Sequence, residues 1–306
     1  MIKSLLCLIL SFVLGLSSCS NSNKTADVIA LNFPSYDAAR AILKDEASLQ
    51  LLLPPGSEIH HYEPTAKDMI AISNAKLVIY TGGESDSWVE NILESIDSEV
   101  RTFRLIDAVE LVEMEEKEGM SIKEDGHGHH HEMDEHVWTS PINEISIVKA
   151  LALELESIYP DKVSILEANA NEYIGEIEML DTEIRSVVDS SRHNTLIFGS
   201  RFPLRYFVDE YGLDYFAAFP GCSEQTEPSA STIAFLIDKA KELGIGYVLD
   251  IEFGSPMIVK TIAGETNAET RIFNSMHNVS ARDFEAGETY VSLMRRNLEI
   301  LKEVLN

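Results

Sequence analysis

Between residues 161 and 190 the chain carries Leu166, Ala170, Ile174, Ile177, Leu180, Ile184 and Val187 at steps of three and four. That spacing lines one stripe of an α-helix, and thirty residues at about 1.5 Å each run roughly 45 Å. An element of that length can cross from one domain to another. On both sides of it, short apolar runs alternate with helix-like stretches. Residues 28–33, 49–53 and 77–80 read as strands before it, with helices over 35–44 and 88–96. Strands at 195–198, 215–219 and 247–251 follow it, with helices over 232–243, 257–263 and 287–305. Such alternation builds mainly parallel sheets. The expected fold class is therefore α/β: two lobes, each with a mainly parallel sheet, bridged by one long rigid helix. The N-terminal lobe is placed at 27–155, the linking helix at 156–190 and the C-terminal lobe at 191–306. Ligands of such folds sit in the cleft beyond the carboxyl ends of the strands.

The first residues locate the chain. Lys3 followed by the apolar run 5–16 reads as an export signal over 1–18, too short to span a bilayer as a helix of about 20 residues. It ends in Leu16-Ser17-Ser18-Cys19, which resembles a bacterial lipobox, with Cys19 the lipidated residue and 19–26 a polar tether. The protein is expected outside the cytoplasmic membrane, held by lipid. Of the three cysteines, Cys7 leaves with the signal and Cys19 carries lipid, so Cys222 remains alone and neither an internal disulfide nor a thiolate zinc cluster can form. Against 51 Asp plus Glu stand 24 Lys plus Arg, a formal charge of -27, the wrong sign for nucleic acid or anionic lipid.

Histidine is the informative residue. Five of the nine lie between His127 and His136, His60 and His61 are adjacent, and His193 and His277 stand alone. The run 124–136 has no apolar periodicity and reads as a solvated loop, in which His127, His129, His130 and His131 form an auxiliary, loosely binding metal loop. It is not a metalloprotease helix: from His131-Glu132 the next histidine is His136, five residues on, and two residues five apart do not share a helical face. Nor is it an EF-hand, since His127 occupies a position where a carboxylate is required.

Three further stretches carry a resemblance. Gly56-Ser57-Glu58-Ile59-His60-His61-Tyr62-Glu63-Pro64-Thr65 with Asp68, then 74–83 with Trp88, and Asp134-Glu135-His136-Val137-Trp138-Thr139-Ser140-Pro141 resemble, in order, the motifs of the metal-binding lipoproteins of zinc and manganese ABC importers. Glu227-Pro228-Ser229-Ala230 and the stretch from Glu288 to Asn297 resemble later motifs of the same family. The resemblance implies a solute-binding protein rather than an enzyme, working as a monomer with an ABC permease and its ATPase. It implies His60 and His136 as the first two metal ligands. At the third ligand position the chain has Arg201, which stays protonated and cannot ligate. The fourth falls near Asn274, with His277 three residues on as the substitute imidazole and Glu252, at a strand end, as a candidate carboxylate. A nitrogen-rich four-coordinate set of this kind suits zinc better than manganese. The alternative is a metal-dependent surface adhesin of the same fold. A metal-dependent hydrolase would need an open coordination position and a general base, and no motif supplies them.

Overall fold

The computed structural model describes residues 25–57, 62–96, 100–121, 133–221 and 227–306. Cys19, His60, His127, His129, His130 and His131 lie outside the described residues, as does Cys222. The N-terminal half runs β1 (Val28–Ala30), α1 (Phe33–Leu43), β2 (Leu49–Leu51), α2 (Ala66–Ser73), β3 (Leu77–Tyr80), α3 (Trp88–Ser95) and β4 (Arg101–Arg104). Two helices follow, α4 (Pro141–Ile158) and α5 (Val163–Asp189). The C-terminal half runs β5 (Thr195–Phe202), α6 (Arg205–Tyr211), β6 (Asp214–Pro220), α7 (Ala230–Leu243), β7 (Tyr247–Asp250), α8 (Pro256–Thr266), β8 (Glu269–Ile272), α9 (Ala281–Glu285) and α10 (Tyr290–Val304).

Both lobes hold a four-stranded parallel sheet, ordered β2-β1-β3-β4 in the first and β6-β5-β7-β8 in the second. The two orders are the same topology used twice. In each, the chain leaves the first strand in one direction and later returns on its other side, so a crevice opens at the carboxyl ends where the order reverses. Thr81 to Gly83 follow β3, Arg201 lies near the end of β5 and Glu252 follows β7, so the reversal points of both lobes deliver residues to one cleft. The register of β5 against β6 shifts between Phe198 and Arg201, an irregularity of the kind that re-aims a side chain.

The long helix is α5, 27 residues and about 40 Å. Its predicted stripe is its buried face, from Leu166 through Ile174, Ile177 and Leu180 to Ile184. The helical span expected over 156–190 is broken, however: residues 156–158 close α4, and α5 begins at Val163. Pro160 disfavours helical backbone at Tyr159 before it, which ends the first helix there. The α5 stripe joins residues of both lobes, including Phe33 and Leu77 of the first and Phe198, Tyr215 and Leu298 of the second, in one continuous core. Each sheet packs its other face on its own smaller core, beneath α2 and α3 in the first lobe and α7 and α8 in the second. A shared core resists relative motion of the lobes more than two separate cores would.

Candidate metal centre

A loop from the first lobe and a loop from the second meet at this cleft. Asp134, Glu135 and His136 approach without regular secondary structure and then enter a 3-10 turn over Val137–Thr139. The Asp134 N–H donates to Val112 O at 2.9 Å, Tyr206 Oη donates to Asp134 O at 2.7 Å, and the Thr139 hydroxyl donates to His136 O at 2.8 Å. Tyr206 belongs to α6, so the second lobe helps to fix the loop. The fully buried Trp138 donates its indole N–H to Ser275 O at 2.9 Å, tying this loop to the one that carries His277.

On that second loop Met276 holds φ +58°, a left-handed conformation unusual for a side chain of its size. Phe253, next to Glu252, is left-handed too, at φ +60°. Backbone strain of this kind persists where surrounding contacts over-determine it, and it gathers at functional sites. Here it presents His277 to His136 with ring centroids 4.9 Å apart and planes nearly perpendicular at 89°.

Three donors converge: one ligand atom each from Glu135, His136 and His277 lies within 4.8 Å of the others. His136 is wholly buried, and its Nδ1–H donates to Asp134 Oδ1 at 2.8 Å. That bond fixes the tautomer and leaves the Nε2 lone pair available; among the described residues Nε2 has no hydrogen-bond partner. Glu135 is buried as well. Its Oε2 accepts from the Ser85 N–H at 3.2 Å, while Oε1 has no partner among the described residues. Leaving a buried acceptor unsatisfied costs roughly 1–3 kcal/mol, so two at one point mark a place for something that accepts electron pairs. A Cβ at Gly83 would stand 1.9 Å from Glu135 Oε2, so glycine there is what lets the carboxylate enter.

A metal ligand must be deprotonated, so a proton competes with an ion for these groups. Burial opposes the charged form of His136, but the charge and hydrogen bond of Asp134 outweigh it and hold the imidazole above its ordinary value. Glu252 is pushed up to about 7 by burial, against the bonds its carboxylate accepts from Ser275 N at 2.7 Å and Ser275 Oγ at 2.6 Å. It lines the same cleft as His277 and Arg201, beside the three converging donors rather than among them. Asn274 faces elsewhere: its side-chain amide donates to Asn297 Oδ1 at 3.1 Å. Ser57, the last described residue before His60, also lines the cleft. The cavity measures about 20 Å³, room for a single water-sized species and not for an organic molecule. Glu135 escaped sequence reasoning, although it stands next to His136 in the quoted motif; only the approach of His277 and Gly83 reveals its role.

A family model described as zinc-uptake complex component A, periplasmic, matches residues 28–304. The zinc-binding lipoprotein AdcA of Streptococcus pneumoniae is 31% identical over 295 residues, which cover 95% of this chain and 58% of that protein. The chain thus spans little more than half the length of that relative. The high-affinity zinc uptake system protein ZnuA of Bacillus subtilis is 30% identical over 279 residues, covering 91% of this chain and 87% of that one. The Zn(II)-bound ZnuA-like domain of Streptococcus pneumoniae AdcA superposes with a TM-score of 0.76 at 28% identity, over 92% of this chain and 99% of the domain.

Proposed function

From the chain's membership of the zinc-uptake component A family, we propose that it captures zinc outside the cytoplasmic membrane and delivers it to an ABC permease driven by its ATPase. The observation that carries this reading is the convergence of Glu135, His136 and His277, with lone pairs on His136 Nε2 and Glu135 Oε1 that meet no partner among the described residues. Two imidazoles and a carboxylate are donors that zinc accepts in tetrahedral sites, and the family resemblance adds His60. Glu252 stands in reserve beside them, a carboxyl that a nearby dication would ionise. Asp134 orients His136 in the carboxylate–histidine–metal arrangement typical of zinc sites. Capture and delivery need no bond made or broken in a substrate, so the protein serves as a carrier and not as an enzyme.

Relatives described as lipoproteins and the Cys19 motif support lipid anchoring, and among the described residues no helix is long and apolar enough to cross a membrane. The lobes 27–155 and 191–306 would then face each other across the ion. The test is a zinc titration of the purified protein, read by competition with a chromophoric chelator. One ion per chain is expected, with affinity reduced about 10- to 100-fold in Asp134→Asn, the usual effect of losing such a supporting carboxylate. Absence of zinc binding by the parent protein would overturn the function, and equal affinity in Asp134→Asn would remove His136 from the ligand set.

A further inference from the structure

The turn that follows β3, residues 81–86, makes one wall of the site: Gly83 leaves room for the Glu135 carboxylate, and the Ser85 N–H donates to its Oε2. From outside, the first lobe braces that turn. The Asn32 side-chain amide donates to Thr81 Oγ1 at 2.8 Å, the Ile106 N–H to Thr81 O at 3.1 Å and Arg104 Nη2 to Gly82 O at 3.0 Å. From inside, Asp86 clamps it. This side chain is fully buried; its Oδ2 accepts from the Thr81 N–H at 2.6 Å and its Oδ1 from the Gly82 N–H at 3.1 Å. Both carboxylate oxygens thus tie the end of the turn back to its start, closing it around residues 83–85. The clamp also stands near the group it serves: the Asp86 carboxyl is pushed up to about 7, first by burial and then by the charge of Glu135. Burying an acid here is costly, and a neutral Asn or Ser closes many turns without that cost.

We propose that Asp86 is a positioning residue for the metal site: by clamping the 81–86 turn it keeps Gly83 and the Ser85 N–H against Glu135, fixes that carboxylate as the oxygen donor, and so sets how well the site admits oxygen-preferring dications beside zinc. This rests on the zinc reading above and specifies what gives the site its metal preference. Ligating groups are aimed by the hydrogen bonds behind them, and loss of such support typically costs about 10- to 100-fold in metal affinity. Asp86 acts one bond further back, on the backbone that supplies the N–H to Glu135. Imidazole nitrogens suit zinc, whereas manganese favours oxygen donors, so a loosened Glu135 weakens manganese more than zinc.

The test titrates the purified protein with zinc, read by chelator competition, and with manganese, read by electron paramagnetic resonance of the free ion. Asp86→Ala is expected to weaken zinc binding about tenfold and manganese binding by more, so that the zinc-to-manganese affinity ratio rises. Glu135→Ala should raise the same ratio, and adding Asp86→Ala to it should change neither affinity further, because the two changes act through one group. Asp86→Asn, which keeps an oxygen for the Thr81 N–H, carries the test with the same expected sign if Asp86→Ala fails to fold. Parent-like affinities for both metals in a folded Asp86 variant would overturn the proposal. So would losses of equal size for the two metals, or an undiminished Asp86→Ala loss in the Glu135→Ala background, since either marks a merely structural role. A parent protein that binds no zinc would overturn the metal site itself, and this proposal with it.

Discussion

His136→Ala is expected to weaken zinc binding by more than about a hundredfold, because loss of a supporting carboxylate alone costs about 10- to 100-fold and His136 is the ligand that such a carboxylate supports. His277→Ala should have a comparable effect, since it supplies the imidazole from the opposite loop. The double variant should lose little more than either single one, as an ion left with Glu135 and a single imidazole is already poorly held and the two changes act on one site. The fold should survive, because the loop stays fixed by bonds that do not involve the imidazole: Tyr206 to Asp134 O, the Asp134 N–H to Val112 O and the Trp138 indole to Ser275 O. Chelator competition reads the affinity and circular dichroism checks the fold. Parent-like affinity in either single variant, with the fold intact, would remove that imidazole from the site.

The other large effect concerns stability. Glu144, on α4, is 1% exposed, and neither carboxyl oxygen has a hydrogen-bond partner among the described residues. Its neighbour Asp37 is fully engaged: Oδ1 accepts from Arg40, while Oδ2 accepts from Tyr173 Oη at 2.7 Å and from the Tyr290 N–H at 2.9 Å. Burial first, and the charge of Asp37 second, hold the Glu144 carboxyl well above its ordinary value of 4.5. Replacing such a group with an apolar side chain of similar size removes an unmet polar cost, so Glu144→Leu is expected to stabilise the protein by about 2–4 kcal/mol at neutral pH. The sign with pH follows from the raised value. Above 4.5 the unfolded chain has released this proton while the folded chain retains it, so the parent loses stability as pH rises until the folded-state value is passed. The advantage of Glu144→Leu should therefore be smallest near pH 4 and larger at pH 8. Urea unfolding at the two values measures it, and a variant less stable than the parent at pH 8 would show that the carboxyl has a stabilising partner.

A chain that keeps a buried acid at the junction of its lobes departs from stability alone, as does one that puts left-handed Met276 and Phe253 beside its cleft. These are properties of three-dimensional proximity and leave no trace in periodicity. The elements that periodicity did reveal are those with one buried face: α5 by its stripe, and β1 and β3 by fully buried runs. The strands it passed over, β4 and β8, are edge strands. Arg101, Thr102, Glu269 and Thr270 face solvent there, so their sequences read as polar, as edges that resist mispairing commonly do. The cleft was legible in part for the same kind of reason. His136 and His277 stand out by residue type and Arg201 by its place in a motif, but Glu135 is one acid among many in a chain with 51. What singles it out is burial against Gly83 and an oxygen with no partner among the described residues.

The ion is expected to stop between the two lobes, on His136 and His277. Crystals of the zinc-loaded protein, measured on both sides of the zinc absorption edge, locate the metal directly. One dominant anomalous peak per chain is expected, about 2.0–2.1 Å from an imidazole nitrogen of each of these two histidines, with a Glu135 oxygen at about 2.0–2.2 Å. A dominant peak elsewhere, with both imidazoles uncoordinated, would contradict it.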